Sequence, residues 1–570
     1  MASSGLKHAL KTVIRVASNP RIVAWEFQRA AVFRRFKRQY GQFLTQGTDR
    51  TDPNKTVLVI NFNNGHVKAQ IHSMLAKALQ LHGYTPVIVT YRWCADARRY
   101  HRVFGFDRFE FFDEYIARVP RGVLASIQRD ASSYLEDSLS VKAIKSLEYR
   151  GVNIGRPTLS SISRDLFRGR VALSNEAIRS LLRRWLPLTM QRVHAAEDLL
   201  DHVRPGLILL HEKGYIAEAP VFEVALNRGI NNIYWCHAHR DDALVLKRYT
   251  STTKYLQPVS LSQETWEVAR RIPWTAQHEL ELAEEFKARY KDSQWFLSNR
   301  YQDGKQLKSK EEVQNQLGLD RTKKTAVVFA HMAWDASFFH GEDLFEDYEE
   351  WLVETTKVAC QNPAVNWVIK LHPFYVYKSR ADGFRGEASE RAAIREQIGP
   401  LPAHVKLLDS DTDINTFSLF AVTDYCLTVR GTIGIEMACF GIPIFTGGTG
   451  RYTGFGFTID SDTRKEYLEK LRRIQQFPKL TPEQTELAKK YAYTLFRCRP
   501  ARFETFRTVF RHHLPVRHPL FWDLEIAARS FRDVMEAPDL RAFAEWALDS
   551  RQADFLMTDG GTAQESLRVG

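Results

Sequence analysis

Residues 370–374 read KLHPF, and residues 409–456 read DSDTDINTFSLFAVTDYCLTVRGTIGIEMACFGIPIFTGGTGRYTGFG. In order they give a strand ending in Lys370-Leu371-His372-Pro373, a connection, a short helix around Ile414 to Phe420, a strand from Tyr425 to Val429, and a glycine-bearing turn that opens a helix. Short apolar runs alternating with helical segments are the rhythm of an open parallel sheet. Polar residues stand at the strand ends, where such sheets place their ligands.

Just upstream, Ala326-Val-Val-Phe-Ala reads as the strand that starts this domain, and it runs into His331, Trp334 and Asp335. The preceding stretch, 260–320, is helical and charge-rich. Further back the same α/β rhythm occurs again. Thr56-Val-Leu-Val-Ile-Asn-Phe is a buried-strand run, followed by Asn63-Asn64-Gly65-His66, a helix from about Val67 to His82, and a second strand at Val87-Ile-Val-Thr. After a mostly helical region from Phe111 to Val203, Gly206-Leu-Ile-Leu-Leu ends in His211-Glu212-Lys213-Gly214, and Asn232-Ile-Tyr-Trp-Cys ends in His237, His239, Asp241 and Asp242. These patterns predict two doubly wound α/β domains, with strand C-termini pointing into a gap between them. No GxGxxG follows the first strand, which disfavours a nicotinamide dinucleotide enzyme.

At 570 residues the chain is too long for one ordinary core, and 44% hydrophobic with 26% charged residues is normal for a globular protein. The six cysteines are scattered without metal-type spacing, which points to buried free thiols and no metal site. The net charge of +13 is local. Residues 1–50 hold ten Lys/Arg against Glu26 and Asp49, so +8 lies there and only +5 in the other 520 residues. Attraction to anions is therefore a property of the arm, and nucleic acid is not an expected partner of the body.

Within that arm Phe33, Phe36, Tyr40 and Phe43 recur at helical spacing, with Arg34, Arg35, Lys37 and Arg38 between them. Two readings stand. The helix lies on an anionic membrane surface through residues 1–44, or it packs its aromatic stripe on the protein. No apolar run approaches the roughly 18 residues of a membrane span, and no signal-peptide core follows the first charges. The expected location is cytoplasmic, with the arm able to hold the chain on the inner face of the cytoplasmic membrane.

The chemistry of the opening stretch follows from its residue types. Gly431 lets the backbone turn closely after its strand, and the first N–H groups of the next helix, with the Thr432 hydroxyl, suit a phosphate oxygen. Glu436 is one turn further in, where a carboxylate reaches a ribose hydroxyl. His372 can donate to the same phosphate, and Lys370 adds charge. The loop Gly447-Gly448-Thr449-Gly450 and the strand end at His331 point the same way. Together these loops predict a nucleotide phosphate site.

The order K-x-HP, then DxxINTFSLFAVTDYCLTVRGTIGIEMACFGIPIFTGG, then Arg451-Tyr452-Thr-Gly-Phe-Gly-Phe-Thr, resembles the capsule-polysaccharide biosynthesis glycosyltransferases, which include the bacterial Kdo transferases. The resemblance covers Ala326 to Leu471 well and Thr56 to Tyr249 faintly. It implies a GT-B fold, a nucleotide-activated sugar (CMP-Kdo-like or a UDP-sugar) in the C-terminal domain, a glycan or glycolipid acceptor in the N-terminal domain, and no required cofactor or metal. It maps donor binding to His372, Pro373, Gly431, Thr432, Gly434 and Glu436, and with Lys370, Arg430, His331, Gly448 and Tyr452 from the strand-end loops these make the expected donor site. Relatives carry an acidic pair before a glycine at a first-domain strand end. Here Glu212-Lys213-Gly214 keeps one carboxylate and replaces the other, so Glu212 is the first candidate base and His66 the second. His237, His239, Asp241 and Asp242 form a third cluster.

The expected organisation is a basic arm (1–50), an N-terminal Rossmann-like domain (51–258) with a helical insertion (111–203), a helical connection (259–322), a C-terminal Rossmann-like domain (323–478), C-terminal helices (479–557) and a disordered tail (558–570). Three other functions share parts of this pattern: a CDP-polyol phosphotransferase of teichoic-acid type, a sugar-nucleotide epimerase, and a non-catalytic membrane-associated binding protein.

Overall fold

The computed structural model describes residues 20–47, 51–137, 140–295, 300–377, 386–515, 518–548, 551–558 and 561–562. The chain is α/β and divides into two compact units, residues 1–110 with 503–544, and residues 111–502 with 545–570. No helix among the described residues is long and apolar enough to cross a membrane.

In the smaller unit Asp52–Ile60 pairs in parallel with Tyr84–Thr90, in register from Thr56 opposite Thr85 to Ile60 opposite Val89. Val57, Leu58, Val59 and Ile60 are all buried, so the strand is covered on both faces, as its unbroken apolar run requires. The crossover is the helix His66–Leu81. The helix Pro20–Leu44 turns the predicted aromatic stripe inward. Phe36, Tyr40 and Phe43 are buried, and Phe33 and Phe36 meet Tyr100 with ring centroids 5.1 and 5.3 Å apart. Each such burial is worth about 1.5–3 kcal/mol. The stripe is therefore not the lipid-facing half of an interfacial helix, whereas Arg34, Arg35, Lys37 and Arg38 remain exposed. Residues 1–19 of the arm lie outside the described residues.

The C-terminal stretch departs from the expected run of helices. Phe506–Phe510 and Trp522–Ile526 form an antiparallel hairpin. The alternation Phe506-Arg-Thr-Val-Phe is a period-two pattern, with Phe506 and Thr508 buried and Arg507 exposed. Phe510 stacks on Trp522 across the strands at 5.8 Å. Pro515 and Pro519, which read as helix breakers, stand in the connection between the strands. Of the 558–570 tail, Thr558, Gly561 and Thr562 belong to a short pairing of Met557–Thr558 with Gly561–Thr562, and the other positions lie outside the described residues.

The larger unit holds the helical segment after Phe111, whose longest element is Glu176–Val203. It also holds a parallel pair, Leu207–Leu210 and Asn231–His237. The sequence reading missed the next strand, Ala243–Tyr249, which runs antiparallel to Asn231–His237 and makes residues 238–242 a hairpin turn. A second, fully parallel sheet follows, in the spatial order Val405–Leu408, Asn366–Lys370, Thr325–Phe329, Tyr425–Thr428, Ile444–Thr446. Successive strands are first added on one side of Thr325–Phe329 and then on the other. The order therefore reverses between Thr325–Phe329 and Tyr425–Thr428, and a doubly wound sheet opens its ligand crevice at the C-terminal ends of such a pair. The residues there are His331 on one strand and Arg430, Gly431 and Thr432 on the other.

Candidate functional site

A cavity of about 400 Å³ opens at that switch point in the larger unit, within the size range of small-ligand sites. Its wall includes His331, Asp335, Lys370, His372, Pro373, Arg430, Gly431, Thr432 and Arg451 from the five-stranded sheet and its loops. His237 and His239 come from the end of Asn231–His237, and Arg289 from the helix Ala276–Tyr290.

Two histidines at neighbouring strand ends are fixed as hydrogen-bond donors. His331 Nε2 accepts the N–H groups of Val429 and Arg430 at 3.1 and 3.3 Å, so the neutral ring carries its hydrogen on Nδ1. His372 Nδ1 accepts the Phe374 N–H at 3.2 Å, which leaves the hydrogen on Nε2. Both rings are held neutral. Burial, with Lys370, Lys305 and Arg289 nearby, pushes His372 down to about 3. Burial, with Arg430, His372 and Arg451 nearby, holds His331 well below the usual imidazole range. The His-Pro dipeptide lies just beyond the strand Asn366–Lys370, and the turn there returns the Phe374 N–H to His372.

Lys370 is 4% exposed, and among the described residues its Nζ reaches only the Leu371 carbonyl, at 3.4 Å. Burial and the neighbouring Lys305 push its ammonium down to about 7. Arg451 spends one guanidinium nitrogen on the Arg430 carbonyl at 3.1 Å, and its Nε is buried with no hydrogen-bond partner among the described residues. His340 Nδ1 is in the same condition. Cations and donors that depress one another's protonation, with buried N–H groups left over, make a cavity that favours an anion.

The remaining donor-loop residues hold this wall in place and do not all line it. The Arg430 guanidinium points into the protein. It donates to the Thr449 carbonyl at 2.9 Å and the Tyr348 hydroxyl at 2.5 Å, and pairs with Asp343 at 2.5 Å. Gly434 is needed for packing, because a Cβ there would stand 2.3 Å from the Tyr452 hydroxyl. That hydroxyl donates to the Gly431 carbonyl at 2.8 Å, so Tyr452 braces the turn from behind. Gly448 allows a close approach, since its Cβ would meet Arg430 Nη2 and the Glu342 carbonyl, each at 2.8 Å. Glu436, read as a ribose contact, is fully buried. It accepts the Tyr290 hydroxyl and pairs with Arg289, a residue of the cavity wall, at 2.6 Å.

Neither candidate base is on that wall. Glu212 Oε1 accepts the N–H groups of Lys213 and Gly214 at 2.8 and 3.2 Å, turning the carboxylate onto its own loop. Lys213 is buried, donates to the Lys254 carbonyl at 2.6 Å, and is pushed down to about 7 by burial. His66 belongs to the smaller unit. There it packs beside Tyr100, and burial lowers it, Arg29 adding to the effect and Asp523 opposing it. In the third cluster, His239 and Arg240 pair with buried Glu285 at 3.4 and 2.7 Å, and Asp242 pairs with Arg502 at 3.5 Å. The sequence reading did not single out Arg289, which lies in a helix read as a connection, nor Arg451 or Asp335.

No protein-family model matches the chain, and no curated protein does. Among solved structures it is similar to the β-Kdo 2,4 transferase of Thermosulfurimonas dismutans KpsC, at 11% identity and a TM-score of 0.32 over 58% of this chain and 87% of that one. It is similar to the UDP-GlcNAc 2-epimerase of Neisseria meningitidis bound to UDP-GlcNAc, at 12% identity and a TM-score of 0.26 over 77% and 95%. It is also similar to Anabaena Alr3699/HepE in complex with UDP and glucose, at 9% identity and a TM-score of 0.25 over 77% and 94%.

Proposed function

We propose that the chain is a glycosyltransferase that moves a sugar from a nucleotide-activated donor, CMP-Kdo-like or a UDP-sugar, to a growing surface glycan of the capsule or lipopolysaccharide type. The observation that carries this reading is the cation-rich cavity at the switch point, where His331 Nδ1–H, His372 Nε2–H, Lys370 and Arg451 present donors and Asp335 is the one carboxylate among the described lining residues.

In the reaction the acceptor hydroxyl attacks the anomeric carbon as the bond to the donor phosphate breaks. Negative charge grows on the departing phosphate oxygens, and groups already aimed at that position stabilise the transition state without reorganising. The neutral histidines donate hydrogen bonds, and the anion favours the protonated, ammonium form of Lys370. Arg289 is held to the wall by Glu436 and supplies further positive charge.

A thermal-shift panel of CMP-, UDP-, GDP- and CDP-linked ligands tests the reading. A ligand at 100 times its Kd stabilises the native state by about 2.7 kcal/mol, and one nucleotide class is expected to raise the melting midpoint well above the others. No response to any of the four would sink the donor site.

A further inference from the structure

We propose that Asp335, and not Glu212 or His66, is the base that takes the proton of the acceptor hydroxyl. The inference rests on the transferase reading above. Asp335 is the one carboxylate among the described residues that line the cavity, where every other ionisable side chain is Arg, Lys, His or Tyr. A proton leaving a hydroxyl there meets one group able to receive it as a carboxylate.

The turn that carries Asp335 is built to hold it. The Tyr215 hydroxyl donates to Asp335 Oδ1 at 3.1 Å and accepts the Ala336 N–H, so one side chain fixes both the carboxylate and the backbone after it. The Arg164 guanidinium lies 4.5 Å from the centre of the Tyr215 ring, holding the tyrosine in turn. Ala336 has φ 54°, a left-handed conformation that a non-glycine residue adopts only under constraint. Gly214 brings the strand-end loop against this turn, since a Cβ there would stand 2.3 Å from the Phe339 ring. The loop after Leu207–Leu210 therefore contributes to the site through Tyr215, which positions the base, while its own carboxylate, Glu212, is spent on backbone N–H groups.

The step balances within the site. Asp335 Oδ2 takes the hydroxyl proton as the acceptor oxygen bonds to the anomeric carbon. The bond from that carbon to the donor phosphate oxygen breaks, and its electron pair leaves on the nucleotide phosphate. The carboxylic acid then returns its proton to water.

The test uses the full chain and the nucleotide sugar that gives the largest thermal shift among CMP-Kdo, UDP-GlcNAc and GDP-mannose, with water as the acceptor and nucleotide release as the rate. Asp335→Asn is expected to lower release at least about 100-fold, the low end of the contribution of a positioned base, while the shift given by the free nucleotide stays at its wild-type value. Asp335→Glu restores part of the rate. Tyr215→Phe, which keeps the ring under Arg164 and removes the hydroxyl, lowers the rate several-fold at an unchanged nucleotide shift and serves as the probe if Asp335→Asn does not fold. Wild-type release from Asp335→Asn, or from Tyr215→Phe, overturns the proposal. So does a free-nucleotide shift lost in parallel with the rate, which would make Asp335 a donor-binding side chain. In each of these cases the wild type still binds and turns over, so the transferase reading survives. A wild type that neither shifts nor releases nucleotide brings down both.

Discussion

Arg430 and Lys370 are buried cations in the wall of one cavity, at the ends of two strands of one sheet, and their surroundings are opposite. Arg430 is fully matched. It pairs with Asp343, donates to Tyr348 and the Thr449 carbonyl, and is thereby held above the ordinary guanidinium range against the cost of its own burial. Lys370 has one long contact to a carbonyl and cationic neighbours. The first is a strut tying the loop at 342–348 to the loop at 447–449. The second is a charge placed where the protein alone does not stabilise it. A group that lowers stability in the free protein and is retained in a cavity is suited to a partner that arrives from outside.

The sharpest way to break this contrast is to exchange both cations for the same apolar side chain. Arg430→Met leaves buried Asp343 with only Lys145, 3.4 Å away, among the described residues, and takes a donor from the Thr449 carbonyl and a partner from the Tyr348 hydroxyl. Removing one partner of a buried pair costs about 3–5 kcal/mol. Urea unfolding is expected to show a loss of that size, and a loss below about 1 kcal/mol would mean that Arg430 is not the strut its geometry makes it.

Lys370→Met is expected to do the reverse. It removes a buried charge with no carboxylate partner among the described residues, so the free protein melts at the same temperature or higher, because burying an unpaired charge costs stability. The same variant loses the stabilisation given by a nucleotide sugar. Should Lys370→Met bind nucleotide normally, the two cations would differ in packing alone and the contrast would carry no functional meaning.

The architecture was legible where the sequence had to satisfy a single rule. Val57 to Ile60 and Ala326 to Phe329 are continuous apolar runs, because a parallel strand covered on both faces has nowhere to place a polar residue. The strand-end positions of His331, Lys370 and His372 followed from the same runs. What was not legible depended on contacts distant in sequence. Nothing local to Glu436 shows that Arg289, some 150 residues earlier, is its partner, and the bare residue types allow a ribose contact equally well. Glu212 looked like a base because it is a carboxylate at a strand end, whereas its side chain caps its own loop. The hairpin at 506–526 was hidden by prolines that break a helix and a strand connection alike. Asp335 was visible as a residue of the turn after its strand, but only the Tyr215 hydroxyl and the cavity wall distinguish it from any other turn aspartate.

The finest test of the contrast is its pH dependence. Lys370 in the free protein loses its proton near pH 7, against an ordinary value of 10.5. A phosphate beside it favours the charged form, so the bound state has the higher pKa. Above about pH 7 binding must therefore take up a proton, and affinity falls as pH rises, by up to tenfold per unit, or about 1.4 kcal/mol. Below pH 7 the ammonium is already charged and this contribution levels off. His372, pushed down to about 3, and His331, held well below its usual range, act in the same direction at lower pH, because any proton they gain on binding also favours the complex. Lys305, pushed down to about 8, also loses charge as pH rises. A nucleotide sugar is the right probe, since its phosphodiester charge is constant over this range. Titration calorimetry from pH 6 to 9, in buffers of different ionisation heat, is expected to show affinity declining above pH 7 with net proton uptake, and Lys370→Met is expected to flatten that decline. An affinity independent of pH from 7 to 9 in the wild type would mean that the anion does not sit beside Lys370, and the cavity would then have to hold its ligand through the histidines and arginines alone.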